Sequence, residues 1–159
     1  MADYPITIAK SRVTIESNPE RLNGFTNKYT VKYSDIALSS ATGSTDTVTV
    51  TLGTTPTVWA ASRAVANVTT AFAGTGGLAL TVGTSGSTAA ILASASVLTA
   101  GLKQNSNGMN SVATPTSATS TASASLVAVF TNSVGSSPSV LSAGELDIYL
   151  NILDLAKLG

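Results

Sequence analysis

The sequence predicts an all-β fold, a sandwich or a barrel of about eight short strands, and three observations support this prediction. Apolar residues alternate with polar ones along most of the chain, which is the period of a half-buried strand. The alternating runs are rich in β-branched and aromatic residues, which strands favour. Glycine, proline, asparagine and serine separate the runs at short intervals, as is typical of all-β sandwiches and barrels rather than α/β folds.

The predicted strands follow the alternating runs in chain order. Six runs are marked by apolar positions at every second residue: Ile6 and Ile8; Val13 and Ile15; Tyr29, Val31 and Tyr33; Val48, Val50 and Leu52; Leu78, Leu80 and Val82; and Leu146, Ile148, Leu150 and Ile152. A seventh, "SLVAVFT", is apolar on both faces and predicts a buried strand. The last run would also place three leucines on one helix face, but the even alternation after Gly144 favours a strand.

The uncharged stretch "NVTTAFAGTGGLALTVGT", residues 67–84, is predicted to be a β-hairpin. Val68 and Phe72 share one phase of its first arm, and Leu78, Leu80 and Val82 form the apolar face of its second. The glycines between the arms supply a permissive backbone for the turn.

Two segments are less regular. "TAAILASASVLTAG" is rich in alanine, and we expect either one or two helical turns or an irregular connection. Residues 103–125 are polar and low in complexity, and we expect a long exposed loop. Loops of this length in a compact domain are commonly functional.

The chain is predicted to hold one domain with a distinct beginning. Its 159 residues, 43% of them hydrophobic, suffice for one core and are too few for two full-sized domains. Residues 1–27 are expected to be an N-terminal arm or the first strands. Residues 28–159 are expected to be a single β-sandwich domain.

Charged residues are few and unevenly placed. They make up 10% of the chain, against roughly 25% in an average soluble domain. Residues 36–144 carry only Asp46, Arg63 and Lys103. Either much of this surface faces other protein, or the 22 serines and 24 threonines of the chain keep it wet.

The composition argues against several classes of function. The net charge is zero, so nothing favours binding to a phosphate backbone, and we expect no nucleic-acid partner. No run approaches the 18 apolar residues of a membrane span, and no basic amphipathic segment suggests a membrane partner.

We expect that the protein is not an enzyme and that it has neither a cofactor nor a metal site. Histidine and cysteine are both absent, which removes the commonest general base, thiolate nucleophile and structural zinc ligands. The "GTGG" run is followed by a strand, whereas a phosphate-binding loop needs a helix at that point. Glu145 and Asp147 would share one strand face and could form a weak calcium site, but a solvated outer face is the favoured interpretation.

Four segments carry a family resemblance: "KYTVKYSDIAL", "GSTDTVTVTLGTTPTVWAASRAVANVTTAFAGTGGLALTVGT", "SVLTAG" and "ELDIYLNILDL". Over residues 28–159 the chain resembles small structural proteins of tailed-bacteriophage virions. The resemblance implies a head decoration, or cement, protein with a jelly-roll-like β-sandwich fold. It implies a homotrimer on the exterior of the capsid, made in the host cytoplasm, that bridges neighbouring capsomers of the major capsid protein lattice.

The N-terminal segment is the candidate attachment region. It is expected either to add a strand to a neighbour, with its apolar side chains filling pockets, or to be an ordinary first strand of its own domain. The candidate interface residues are Tyr4, Pro5, Ile6, Ile8, Val13, Ile15 and Trp59.

Two other functions stay open. A tail or head-fibre component would share this composition. A carbohydrate-binding β-sandwich would need exposed aromatic rings, for which Trp59 and Tyr149 are the candidates. The alternative for Trp59 is a core or interface position beside Val58.

Overall fold

The computed structural model describes residues 1–8, 12–15, 24–104, 122–133 and 136–158, with the side chains of residues 14, 15, 62 and 63 outside the description. Within this part of the chain, ten strands form two five-stranded sheets. Buried side chains from both sheets make up one hydrophobic core. The predicted all-β sandwich is therefore confirmed, with ten strands in place of about eight.

The strands vary in length from three to fifteen residues. In chain order they are β1 (Asp3–Thr7), β2 (Val13–Ile15), β3 (Asn27–Lys32), β4 (Thr47–Thr54), β5 (Trp59–Ala73), β6 (Leu78–Thr84), β7 (Ser87–Ser96), β8 (Gly101–Lys103), β9 (Ser125–Asn132) and β10 (Ala143–Asp154). A single helical turn, α1 (Tyr33–Ile36), follows β3, and 3-10 turns span Pro138–Val140 and Leu155–Lys157.

Most consecutive strands lie in different sheets, but β2 and β3 share one sheet and β6 and β7 share the other. Sheet A has the order β1–β4–β9–β6–β7, and sheet B has the order β2–β3–β10–β5–β8. The β1–β4 pair is parallel, and every other described pair is antiparallel. The jelly-roll order of strands stays a prediction.

The predicted hairpin over residues 67–84 is wrong, because its two arms lie in different sheets. β5 belongs to sheet B and β6 to sheet A, so the glycine-rich turn is an arch that crosses the core. Gly74 has a φ of +106°, and a side chain there would run into the backbone of Val140. Val68 and Phe72 do share a buried phase, and the Phe72 ring packs against Phe130 of β9 in the other sheet, with ring centroids 6.0 Å apart.

The two irregular segments have different outcomes. The alanine-rich segment forms β7, which pairs with β6 through a two-residue turn after Thr84. The helical alternative for it is therefore wrong. The predicted loop at residues 103–125 lies largely outside the described residues. The C-terminal run is a strand, β10, as predicted.

The core is filled by the inward phase of each strand. Its largest fully buried side chains are Trp59, Phe130, Ile36, Leu78, Leu80, Leu92, Leu126, Leu146, Ile148, Leu150, Val31 and Val48. Nine of these twelve lie on the seven predicted strand runs, so burial largely follows the sequence pattern. Ile36, Trp59 and Leu92 lie outside those runs.

Candidate interaction surfaces

The first candidate surface is built by β1, which lies on β4 of its own chain in parallel register from Asp3 opposite Thr47 to Thr7 opposite Thr51. Tyr4 and Ile6 are half-buried and pack against the core. Ile8, just after the strand, is 4% exposed. The apolar side chains of the predicted interface thus fill pockets in this chain's own sandwich.

The backbone of β1 is fastened at both ends. Thr47 donates its backbone N–H to the carbonyl of Ala2 at 2.8 Å, and Ile8 donates to the carbonyl of Thr51 at 3.2 Å. The N–H of Ala2 donates in turn to the carboxylate of Asp46 at 3.1 Å. Main-chain pairing therefore runs along the whole length of the strand.

The Asp3 carboxylate adds a side-chain clamp to this pairing. It accepts hydrogen bonds from the hydroxyls of Thr47 at 3.0 Å and Thr49 at 2.7 Å. The sequence prediction did not include Asp3 or these threonines. The outward phase of "TVTVTL" was a usable signal, because threonines at every second position offer hydroxyls to whichever strand lies alongside.

The other predicted interface residues are placed as follows. Pro5 is exposed on β1, and Val13 is half-buried at the start of β2. The side chain of Ile15 lies outside the described residues. Trp59 is 1% exposed, and its Nε1 donates to the carbonyl of Ala122 at 3.3 Å. Because the ring is buried, it offers no face on which a sugar could stack.

The second candidate surface is the outer face of sheet A. Its central strands present threonine, valine and alanine to the outside, at Thr49, Thr51, Ala79, Thr81, Val129 and Thr131. These side chains are half-buried by their neighbours. The charged side chain at the margin of this face is Asp3, whose carboxylate is occupied by the two threonines described above. The central part of this face, on β4, β9 and β6, carries no charged side chain.

The outer face of sheet B has the opposite character. Lys28 forms an ion pair with Asp147 at 3.0 Å, and Lys32 forms one with Glu145 at 3.5 Å. The hydrogen bond to Asp147 raises the pKa of Lys28 above its ordinary value against the opposing effect of burial. Glu145 and Asp147, the two carboxylates for which a weak calcium site was the less favoured interpretation, therefore each face an ammonium group.

A cluster of polar groups surrounds Asp147 on this face. The hydroxyl of Thr30 donates to its carboxylate at 2.6 Å. The Lys28 ammonium lies 5.7 Å from the centre of the Tyr149 ring, and that ring packs at 5.6 Å against Phe25. The cluster ties β3 to β10 and leaves sheet B with a solvated, charged exterior.

A cavity of about 490 Å³ opens between the sheets at the end where β1 and β4 finish. Ile8, Leu52 and Tyr29 form its apolar walls, and threonines line its mouth. Burial raises the pKa of Tyr29 to about 12, against a smaller lowering by a hydrogen bond with Asn27. A phenol that stays neutral at every physiological pH supplies no general base.

Nowhere in the described part of the chain do three or more histidine, cysteine, aspartate or glutamate side chains gather closely enough to hold a metal ion. Among the same residues, no helix is long and apolar enough to cross a membrane.

Neither a protein-family model, nor a curated protein, nor a solved structure matches this chain. The function of this chain is therefore inferred from the surfaces described above.

Proposed function

We propose that this chain is a structural virion protein that decorates a bacteriophage capsid and stabilises it by bridging neighbouring capsomers. The observation that supports the proposal most directly is the contrast between the two outer faces of the sandwich. Sheet B carries Lys28, Lys32, Glu145 and Asp147 on its outside. The outer face of sheet A carries threonine, valine and alanine on its central strands β4, β9 and β6.

This contrast has a physical consequence for binding. A soluble domain keeps charged groups on its surface for solubility, and sheet B does so. A threonine and valine face can be covered by another protein without removing any charge from water, a step that costs several kcal/mol per ion when it occurs. Sheet A therefore has the composition of a docking face for a protein lattice.

The proposal includes self-association as a homotrimer. A lattice with threefold positions favours a partner of the same symmetry, since each copy then makes the same contacts. The sandwich has four terminal strands, β1, β7, β2 and β8, and closed assembly is one way in which proteins cover such edges.

The first experiment locates the protein in a purified particle by cryo-electron microscopy. We expect density for the sandwich on the outside of the head, with sheet A turned toward the capsid. Density in the tail or in a fibre would replace the proposal with the tail-component alternative.

A matched pair of variants tests the docking face. Thr81→Lys places a charge on the outer face of sheet A, and Asn67→Lys places one on the outer face of sheet B, opposite Asp147. We expect the first variant to lower occupancy on undecorated shells and the second to bind like the parent protein. Equal binding of both variants, with circular dichroism unchanged, would argue against sheet A as the docking face.

A further inference from the structure

The edge of β4 in sheet A has the properties of a receptor for an extended peptide, and β1 is its present occupant. Among the described strands, β1 is the terminal strand of sheet A and pairs only with β4. The next described strand along the chain, β2, lies in sheet B. β1 is therefore attached to the rest of its sheet through side-by-side contacts rather than through a tight turn.

The receptor recognises a defined pattern. Three positions at every second residue, Tyr4, Ile6 and Ile8, turn their side chains toward the core. The Asp3 carboxylate is held by the hydroxyls of Thr47 and Thr49 on β4. Main-chain pairing gives such a site its affinity, and the alternating pockets with the clamp give it selectivity.

The free edge of β1 and the edge of β4 differ in their protection against the addition of another strand. Ala2 and Ile8 direct their backbone groups toward β4. Along a parallel strand, successive residues direct their backbone N–H and C=O groups to opposite sides. The backbone of Pro5 therefore points to the free side of β1, and proline has no N–H to donate there. Proline at such a position prevents a further strand from adding. The edge of β4 beneath β1 is an uncharged "TVTVTL" run and has no such protection.

We propose that the β4 edge is a strand-acceptor site for β1 of a second copy, and that copies of this chain associate by exchanging their N-terminal strands. Every contact that β1 makes with β4 is available in the same form to β1 of another copy, because the chains are identical. Exchange of an identical element is a low-cost route to association for this reason. The inference goes beyond the capsid proposal and holds whether or not the chain belongs to a virion.

The short connection between β1 and Arg12 limits how far β1 can reach in an exchange. Arg12 is fixed to α1 by a two-point ion pair with Asp35, one contact of which measures 2.8 Å. The four residue steps from Ile8 to Arg12 span at most about 14 Å at full extension. The two β4 edges must therefore lie close together, so exchange joins copies side by side along this edge.

Disulfide trapping tests the proposal, because the native chain contains no cysteine. Thr7 and Thr51 are direct partners in the β1–β4 pair, and both side chains lie on the outer face. Full-length T7C and T51C are mixed in denaturant, refolded together at high protein concentration and oxidised. Concentration matters because a tethered strand experiences a millimolar effective concentration of its own β4.

We expect a covalent dimer that joins one T7C chain to one T51C chain, identified by mass spectrometry of the linked peptides. The matched control replaces T51C by T81C, a threonine on the same face of β6, which is two strands away from β4. T7C with T81C should give only background cross-linking. Circular dichroism of each variant before oxidation verifies that it is folded.

The double variant T7C/T51C provides the decisive second measurement. Oxidised while dilute, it should close within one chain, and the locked protein should then lose the oligomer that the reduced protein forms. Three results would overturn the proposal: cross-linking of T7C to T51C no greater than to T81C, a locked protein that still assembles like the reduced one, or a parent chain that stays monomeric at every concentration.

Discussion

Glycines in this chain show how a single residue can be required for two separate reasons. Gly144 has a φ of +139°, and a side chain on it would run into the ring of Phe72. Gly101 has a φ of +111° but open space around the missing side chain. Gly86 has open space and no unusual φ. Substitutions at these three positions therefore distinguish the cost of a positive φ from the cost of a steric clash.

Of the alanine substitutions at these three positions, Gly144→Ala is expected to destabilise the protein most. Phe72 cannot easily retreat, because its ring packs against Phe130 with centroids 6.0 Å apart. Overpacking of this kind costs roughly 1–3 kcal/mol, and the positive φ adds to it. Gly86→Ala should change stability by less than about 0.5 kcal/mol, with Gly101→Ala between the two. Urea unfolding measures all three, and a Gly144→Ala protein as stable as Gly86→Ala would contradict the structure.

A buried phenol makes stability depend on alkaline pH. Burial raises the pKa of Tyr29 to about 12 in the folded chain, against 10.0 for an ordinary tyrosine. Below pH 10 the phenol is neutral in both states. Between pH 10 and 12 the unfolded chain loses the proton first, so stability should fall by up to about 1.4 kcal/mol per pH unit.

Tyr29→Phe should remove this part of the slope. The raised pKa of Lys28 acts in the same direction, since its ion pair is lost as pH rises through that pKa. It is present in both proteins and cancels in the comparison. Denaturant unfolding at several pH values from 8 to about 11.5 measures the difference, and parallel curves for parent and variant would exclude the assignment.

At the scale of elements, alternation identified most strands but not their partners. The period of two in "LALTV" fixes which side chains are buried, and those side chains are buried as predicted. It contains no information about which strand lies alongside. The glycines after Phe72 predict a hairpin turn, whereas Gly74 lies against the backbone of Val140, far along the chain, and leaves no room there for a side chain.

The helical alternative for the alanine-rich segment was wrong for a related reason. Its small side chains give a weak period, and β7 departs further from alternation because its pairing with β6 shifts register twice. An intrinsic preference for helix was outweighed by the ladder that β6 provides. The interaction surfaces were predictable only in part: the apolar positions of β1 were visible, but the Asp3 clamp depends on a register that no local pattern shows.

The pairing of β3 with β10 depends on one of its two ion pairs more than on the other. Asp147 is 8% exposed. Its carboxylate forms an ion pair with Lys28 and accepts a hydrogen bond from the hydroxyl of Thr30. Asp147→Ala would leave those donors without their acceptor, which should cost about 1–3 kcal/mol. Glu145→Ala removes a more exposed pair, worth about 0–1 kcal/mol. Equal losses in thermal or urea unfolding would show that burial does not separate the two sites.

At the scale of the whole molecule, the charges divide the sandwich into two exteriors. Sheet B holds its surface charges in pairs across strands, and this exterior is suited to water. Sheet A leaves an uncharged face and, at its margin, the β4 edge that only β1 covers. The two proposals thus place docking and self-association on neighbouring but different parts of the same sheet.

This division predicts that the two properties can be lost separately. Thr81→Lys alters the outer face of sheet A but leaves the β1–β4 pair intact, so its oligomer mass by sedimentation equilibrium should equal that of the parent while shell binding falls. The oxidised T7C/T51C protein retains the uncharged face but cannot exchange β1, so it should sediment as a monomer. It should also bind shells more weakly, because a monomer loses the avidity of a trimer. If Thr81→Lys dissociated the oligomer as well, the docking face and the subunit interface would be one surface, and the outer face of sheet A would join the copies to each other.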